Sequence, residues 1–193
     1  ERGFVAIVPD YPSLGENKSD PYQMGYVSTS MKGVWNHVRA VDLLVSLPEV
    51  DADRIGAIGH SLGGHNSLFV AVFDPRIKVI VSSCGFTKMS HYMKGNLKGW
   101  DGWRYMPRVG SEYESSPKKI PFDFPEILAS LRDRVIFVNA PLHDDNFDVA
   151  GVRECMKKAG PRAKAVYPDA GHDFPQQIRE QAYHVIEKAF HLH

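Results

Sequence analysis

A serine, an acid and a histidine are spaced along this chain as covalent acyl transfer would require. Ser61 stands in Gly59-His60-Ser61-Leu62-Gly63-Gly64, directly after the apolar run Ile55-Gly56-Ala57-Ile58. Ser67-Leu68-Phe69-Val70-Ala71-Val72-Phe73 follows and reads as a helix. The spacing predicts a strand, a sharp turn and a helix, with the serine at the apex. Gly59 and Gly63 are read as the positions where side chains would collide as the two backbones approach. The hydroxyl would then project above a sheet from a strained backbone, a posture suited to a nucleophile. The bland alternative is a glycine-rich turn capped by a serine.

A serine hydroxyl needs a base within hydrogen-bonding reach to become nucleophilic at neutral pH. In an open sheet that base must come from another loop at the same edge. His172 lies in Pro168-Asp169-Ala170-Gly171-His172-Asp173-Phe174-Pro175, after the apolar stretch 163–167. A carboxylate must then fix the imidazole tautomer and stabilise the imidazolium. Asp144 and Asp145 follow the run Val135-Ile136-Phe137-Val138, in the loop before that. The order serine, acid, histidine is the one an α/β-hydrolase arrangement requires. Spacing alone leaves Asp144 and Asp145 both open.

Other chemistry-bearing residues have plainer readings. His60 occupies a variable position of the turn and His65 lies on the following helix, so both are expected to pack or bond locally. His191 and His193 form a terminal pair with no third ligand at sensible spacing, so no metal site is assigned. Asp169 and Asp173 are too near His172 in sequence to orient its ring. Cys84 and Cys155 are expected to be free thiols rather than a disulfide framework, and Cys84 a buried one. They do not report a compartment.

The elements that must position these groups are legible as short apolar runs. Phe4–Val8 reads as an interior strand ended by Pro9. Val27, Met31, Val34, Val38, Val41 and Val45 form the stripe of an amphipathic helix that stops before Pro48. Val79–Val81 is a further strand. Helices are predicted over about 148–158 and 177–190. Strands alternating with helices imply a doubly wound, mostly parallel sheet in one α/β domain. Between about 84 and 125 the pattern lapses into glycines, prolines and aromatics. That stretch is read as a cap over the strand ends, with Phe86, Trp100 and Trp103 the candidates to face a substrate pocket. The plainer reading, favoured for most of its aromatics, is that they pack the cap on the body.

The chain has 193 residues, 43% of them hydrophobic, and 23 basic residues balance 23 acidic ones. A net charge of zero leaves no electrostatic footprint for nucleic acid or an anionic membrane surface. No apolar stretch reaches membrane-spanning length.

The elbow Gly59-His60-Ser61-Leu62-Gly63-Gly64 resembles that of the α/β-hydrolases, in the dienelactone hydrolase, acetyl xylan esterase and prolyl-oligopeptidase-like branch. Ala170-Gly171-His172-Asp173-Phe174 is similar to the histidine loop of that branch, and Leu142-His143-Asp144-Asp145-Asn146-Phe147 to its acid loop. The resemblance places the acid three residues before an apolar one, which favours Asp144 through Phe147. It implies a serine carboxylic-ester hydrolase using Ser61, His172 and Asp144 through an acyl-enzyme, without a cofactor, on a small-molecule or carbohydrate ester. A serine peptidase of the prolyl-oligopeptidase type and a non-catalytic binding homologue are the alternatives.

One departure from the resemblance concerns the oxyanion hole. The backbone N–H of Leu62 supplies one donor. The second should come from a loop after an earlier strand, and the strand expected between Phe4–Val8 and the serine strand is missing. Either the loop Asp10–Ser13, with Tyr11 near the site, supplies that donor, or an upstream segment supplies both donor and strand. The second is favoured, because Glu1-Arg2-Gly3 runs almost at once into an apolar stretch.

Overall fold

The computed structural model describes residues 2–12 and 14–192. Glu1, Ser13 and His193, which enter the readings of the N-terminal entry, the Asp10–Ser13 loop and the terminal histidine pair, lie outside it. Four parallel strands form one sheet in the order β1 (Ile55–His60), β2 (Ile77–Ser83), β3 (Val135–Asn139) and β4 (Ala163–Val166). Six α-helices accompany them among the described residues: α1 (Thr29–Ser46), α2 (Leu62–Phe73), α3 (Arg108–Ser111), α4 (Phe124–Ser130), α5 (Val149–Met156) and α6 (Gln176–Ala189).

Period-two alternation divides the core between the faces of the sheet. Ile80, Ile136 and Val138 point into the larger core with Leu68 and Ala71 of α2, Leu128 of α4 and Val152 of α5. Val81 and Phe137 point the other way, against Phe174 and the α6 residues Ile178 and Ala182. Helices therefore cover both faces, as a doubly wound sheet requires.

Helix starts follow local chemistry. Ser28 caps α1 by accepting the Met31 N–H at 3.0 Å, and Leu47 ends that helix one residue before Pro48. Asp148 caps α5 through the N–H groups of Ala150 and Gly151. Asp123 and Glu126 form a reciprocal capping box on α4. Asp123 also accepts the Met89 N–H at 3.0 Å, so the cap of α4 anchors the stretch that leaves β2. That stretch holds two 3₁₀ turns, Tyr92–Gly95 and Leu97–Gly99, and the single turn of α3 before α4 begins.

The predicted strand Phe4–Val8 does not form. Among the described residues no neighbour offers it a hydrogen-bonding ladder, and Phe4, Val5 and Val8 are all exposed, Val8 at 93%. β-structure is stabilised by its neighbours, so an apolar run without a partner stays irregular. Nor does β1 pair on the side away from β2 among the described residues.

Candidate active site

The elbow forms as the spacing predicts, with one correction. Ser61 sits between β1 and α2 at φ 53° and ψ −120°, a conformation costly for a residue with a Cβ. A Cβ on Gly59 would lie 2.2 Å from the backbone of Gly63, and one on Gly64 would lie 2.8 Å from the Ser83 carbonyl oxygen. A Cβ on Gly63 would meet nothing within 4 Å. The crowded glycines are thus 59 and 64, because it is the strand side of the turn and the helix side facing β2 that approach other backbone. The Ser61 N–H donates to the Ser83 carbonyl at 2.8 Å, tying the serine to the end of β2.

Three loops at the carboxyl ends of the strands bring the predicted residues together. His172 Nε2 lies 2.8 Å from Ser61 Oγ, and Nδ1 lies 3.0 Å from both carboxylate oxygens of Asp144. The Asp144 side chain is 1% exposed and that of His172 26%. Asp144 Oδ1 also accepts the N–H groups of Asn146 at 2.9 Å and Phe147 at 3.0 Å. The apolar residue three positions on thus serves the acid twice: its backbone holds the carboxylate, and its ring stacks on His172 at 5.9 Å. Asp145 is exposed. With Nδ1–H donated to a buried carboxylate, Nε2 is left as the acceptor facing the serine hydroxyl, the tautomer a general base needs. Leu62 opens α2, and N–H groups of a first helical turn have no intrahelical acceptor.

Cys84 lies beneath this group, 2% exposed, and its thiol donates to the Asp173 carbonyl at 3.3 Å. Burial, reinforced by the Asp144 carboxylate, pushes that thiol up to about 12, so it stays protonated. Cys84 Sγ, Asp144 and His172 are close enough to share an ion. A protonated thiol and an Nδ1 already bonded to carboxylate make a poor donor set for one. Cys155 is also a buried free thiol.

The predicted pocket residues separate. Trp100 lines an apolar cavity of about 200 Å³, together with Tyr92, Phe147, His65, Phe69 and Phe124. Phe86 is 1% exposed and packs on Phe124 in the core. Trp103 is 54% exposed, and its carbonyl accepts Thr29 Oγ1 at 2.6 Å. Tyr11 is buried, its hydroxyl 3.1 Å from Ser30 Oγ and from the Arg104 carbonyl. No motif in the sequence marks Tyr92 or Phe147 as a lining residue. Phe147 bridges cavity and site, since its ring also meets Tyr92 at 5.6 Å. The signal for it was its place three residues after the acid; Tyr92 carried none beyond cap aromaticity. His65 stacks on Trp100 at 4.4 Å, and burial lowers it to about 4, so it is neutral at physiological pH.

A scan against family models matches residues 1–192 to the prolyl oligopeptidase family. The chain belongs to that family. Curated relatives include 2,6-dihydropseudooxynicotine hydrolase of Paenarthrobacter nicotinovorans, 32% identical over 60% of this chain and 30% of that protein. Dipeptidyl-peptidase 5 of Porphyromonas gingivalis is 25% identical over 89% of this chain and 26% of its own. A Bacillus subtilis protein described as a hydrolase is 27% identical over 80% of this chain and 52% of its own. This family member therefore spans about half, or less, of the curated relatives it matches. Among solved structures, a carbohydrate esterase family 15 glucuronoyl esterase from Caldicellulosiruptor kristjansonii superposes with a TM-score of 0.72 at 17% identity, over 95% of this chain and 54% of that one. Acetyl xylan esterase 1 from a Thermoanaerobacterium species gives 0.62 at 22% identity, over 82% and 52%. These likenesses establish the α/β-hydrolase fold for the family member.

Proposed function

We propose that the chain carries the active site of a serine carboxylic-ester hydrolase working through an acyl-enzyme. The observation that carries this reading is the unbroken line from Ser61 Oγ through His172 to the buried Asp144 carboxylate. In the first half-reaction Ser61 Oγ bonds to the ester carbonyl carbon and His172 Nε2 takes the hydroxyl proton. Asp144 stabilises the imidazolium, and the Leu62 N–H binds the oxyanion. Collapse of the tetrahedral species expels the alcohol, which receives that proton from Nε2. Water then repeats the sequence on the acyl-enzyme and releases the acid. No cofactor enters either half.

The substrate is a small-molecule or carbohydrate ester with one flat or apolar group. A cavity of about 200 Å³ has room for one ring or a short alkyl chain, given that roughly 150 Å³ holds benzene. Trp100 supplies the stacking face, with Phe147 at the boundary between cavity and base. The names of the solved neighbours support an ester, and the family name keeps a peptide bond as the competing substrate.

The second oxyanion donor and a strand beside β1 are proposed to come from polypeptide upstream of this chain. That proposal rests on the side of β1 that is unpaired among the described residues and on the exposure of Phe4 and Val5. A panel of aryl esters, acetylated sugars and aminoacyl amides, assayed on the full-length protein beside fluorophosphonate labelling, tests the reading. Ester turnover with labelling is expected. Turnover of amides alone would make it a peptidase, and absence of labelling would make it a binding homologue.

A further inference from the structure

The backbone ladder that fixes the histidine loop ends before it reaches the histidine. Beyond β3 and β4 it continues from the Ala140 N–H to the Val166 carbonyl at 3.0 Å and from Leu142 to Pro168 at 2.9 Å. It closes from His143 to Ala170 at 3.0 Å. His172 then sits in a tight turn in which the Asp173 N–H returns to the Gly171 carbonyl at 2.7 Å. On the far side of this turn the first anchorage is the Asp173 carbonyl, and side chains hold it. Asn139 Nδ2 donates to it at 2.9 Å, beside the Cys84 thiol at 3.3 Å.

Asn139 is fully buried at the end of β3, and its other amide proton goes to Ser83 Oγ at 2.8 Å. The Asp173 carbonyl can only accept, so it fixes which end of the amide is the NH₂. Asn139 Oδ1 is left buried without a partner. A buried acceptor in that state costs stability, which offsets part of what the two donated bonds contribute. Its neighbours reach the whole site. Ser83 is its register partner on β2, and the Ser83 carbonyl holds the Ser61 N–H. Ser83 Oγ meets His60 Nδ1 at 3.0 Å, and the His60 ring lies 5.0 Å from that of His172. The acid Asp144 lies five residues further along the same segment as Asn139.

We propose that Asn139 is a positioning residue for the general base: its amide clamps the Asp173 carbonyl to Ser83, so that nucleophile, base and acid share one frame. This rests on the hydrolase reading above and goes beyond it, because Asn139 touches neither substrate nor any reacting atom. Transition states tolerate little misplacement, so a base that wanders should slow chemistry while leaving substrate binding nearly intact.

The test uses Asn139→Leu, which keeps volume and removes both donors and the orphan acceptor, and Asn139→Ser, which is too short to span both partners. Each is made in the full-length protein, with Ser83→Ala as the graded control. The expected result for both Asn139 variants is a kcat loss of about 10- to 100-fold with KM within about threefold. The fluorophosphonate labelling rate should fall in parallel, and the low-field proton resonance of His172 Nδ1–H should weaken or broaden. Ser83→Ala should cost less than about tenfold, since the bond to Asp173 remains. A folded Asn139 variant with kcat within about twofold of wild type and an unchanged resonance would overturn the proposal. A rise in KM at constant kcat would overturn it too. Where the unmodified protein turns over no ester and takes no fluorophosphonate, the hydrolase reading fails. The resonance then still decides whether Asn139 orders the imidazole.

Discussion

Ile58 of β1 and Val81 of β2 are register partners on adjacent strands, yet Ile58 is 45% exposed and Val81 fully buried. The two strands have similar residues and meet different surroundings. At their carboxyl ends both are enclosed by loops that bond to one another. Along its free side no strand pairs with β1 among the described residues, and Phe4 and Val5 are exposed as well. The difference teaches that the reacting groups depend on elements contiguous in the chain from β1 onward. The flank of the sheet is where the upstream strand proposed above would pair.

The enclosed end should break most sharply. Ser61→Ala is expected to lose several orders of magnitude in turnover and all fluorophosphonate labelling, with the fold retained by circular dichroism. Asp144→Asn should slow turnover by a hundredfold or more, because the imidazole loses the partner that sets its tautomer. Exposed Asp145→Asn should leave the rate within about twofold. A reversal of that order in steady-state kinetics would move the acid by one residue.

Burial on the enclosed side has a pH cost that the open flank does not share. His65 falls from 6.5 to about 4 on folding because its charged form is desolvated, an effect only partly offset by the Gly85 backbone. The unfolded chain therefore binds a proton that the folded one refuses between those values. Stability is full above pH 6.5 and is lost as pH falls toward 4, by up to roughly 3 kcal/mol. Melting curves of His65→Leu should show a shallower acid slope over that window than the parent.

The smallest effect separates the two regions by context. In residues 1–193 expressed alone, Ile58→Lys should raise solubility without destabilising, since charge on an open edge blocks edge-to-edge pairing. In a longer polypeptide that supplies a strand beside β1, the same substitution should cost about 1–2 kcal/mol in denaturant titrations, from the apolar surface it leaves wet. Equal effects in both would argue that nothing covers this flank.

What could be read from the sequence follows the same division. The elbow, the acid loop and the histidine loop were legible because each is one short contiguous motif following an apolar run. Phe4–Val8 has the composition of a strand, but pairing is a non-local property that composition does not encode. Gly63 looked like the crowded glycine because the motif names it, whereas the close approach falls on Gly64, whose neighbour Ser83 is distant in sequence. Asn139 and Ser83 gave no signal beyond standing at strand ends, since their partners come from three different loops. Within the cap the aromatics could be counted but not aimed. Trp100 reached the cavity, Phe86 the core and Trp103 the surface, according to which turn each occupies.

The backbone at Ser61 has a further consequence, for how much this protein's reactivity weighs against its durability. A residue at φ 53° and ψ −120° is held where only glycine is comfortable, so the fold is strained at the one atom it most needs to expose. Inactivation then has two thermal outcomes. Ser61→Ala keeps the strain and should melt near the parent, whereas Ser61→Gly relaxes it and should be the more stable by about 1 kcal/mol. Selection for endurance alone would therefore drift toward glycine at this position, and a serine kept there against that drift is what the proposed turnover would require.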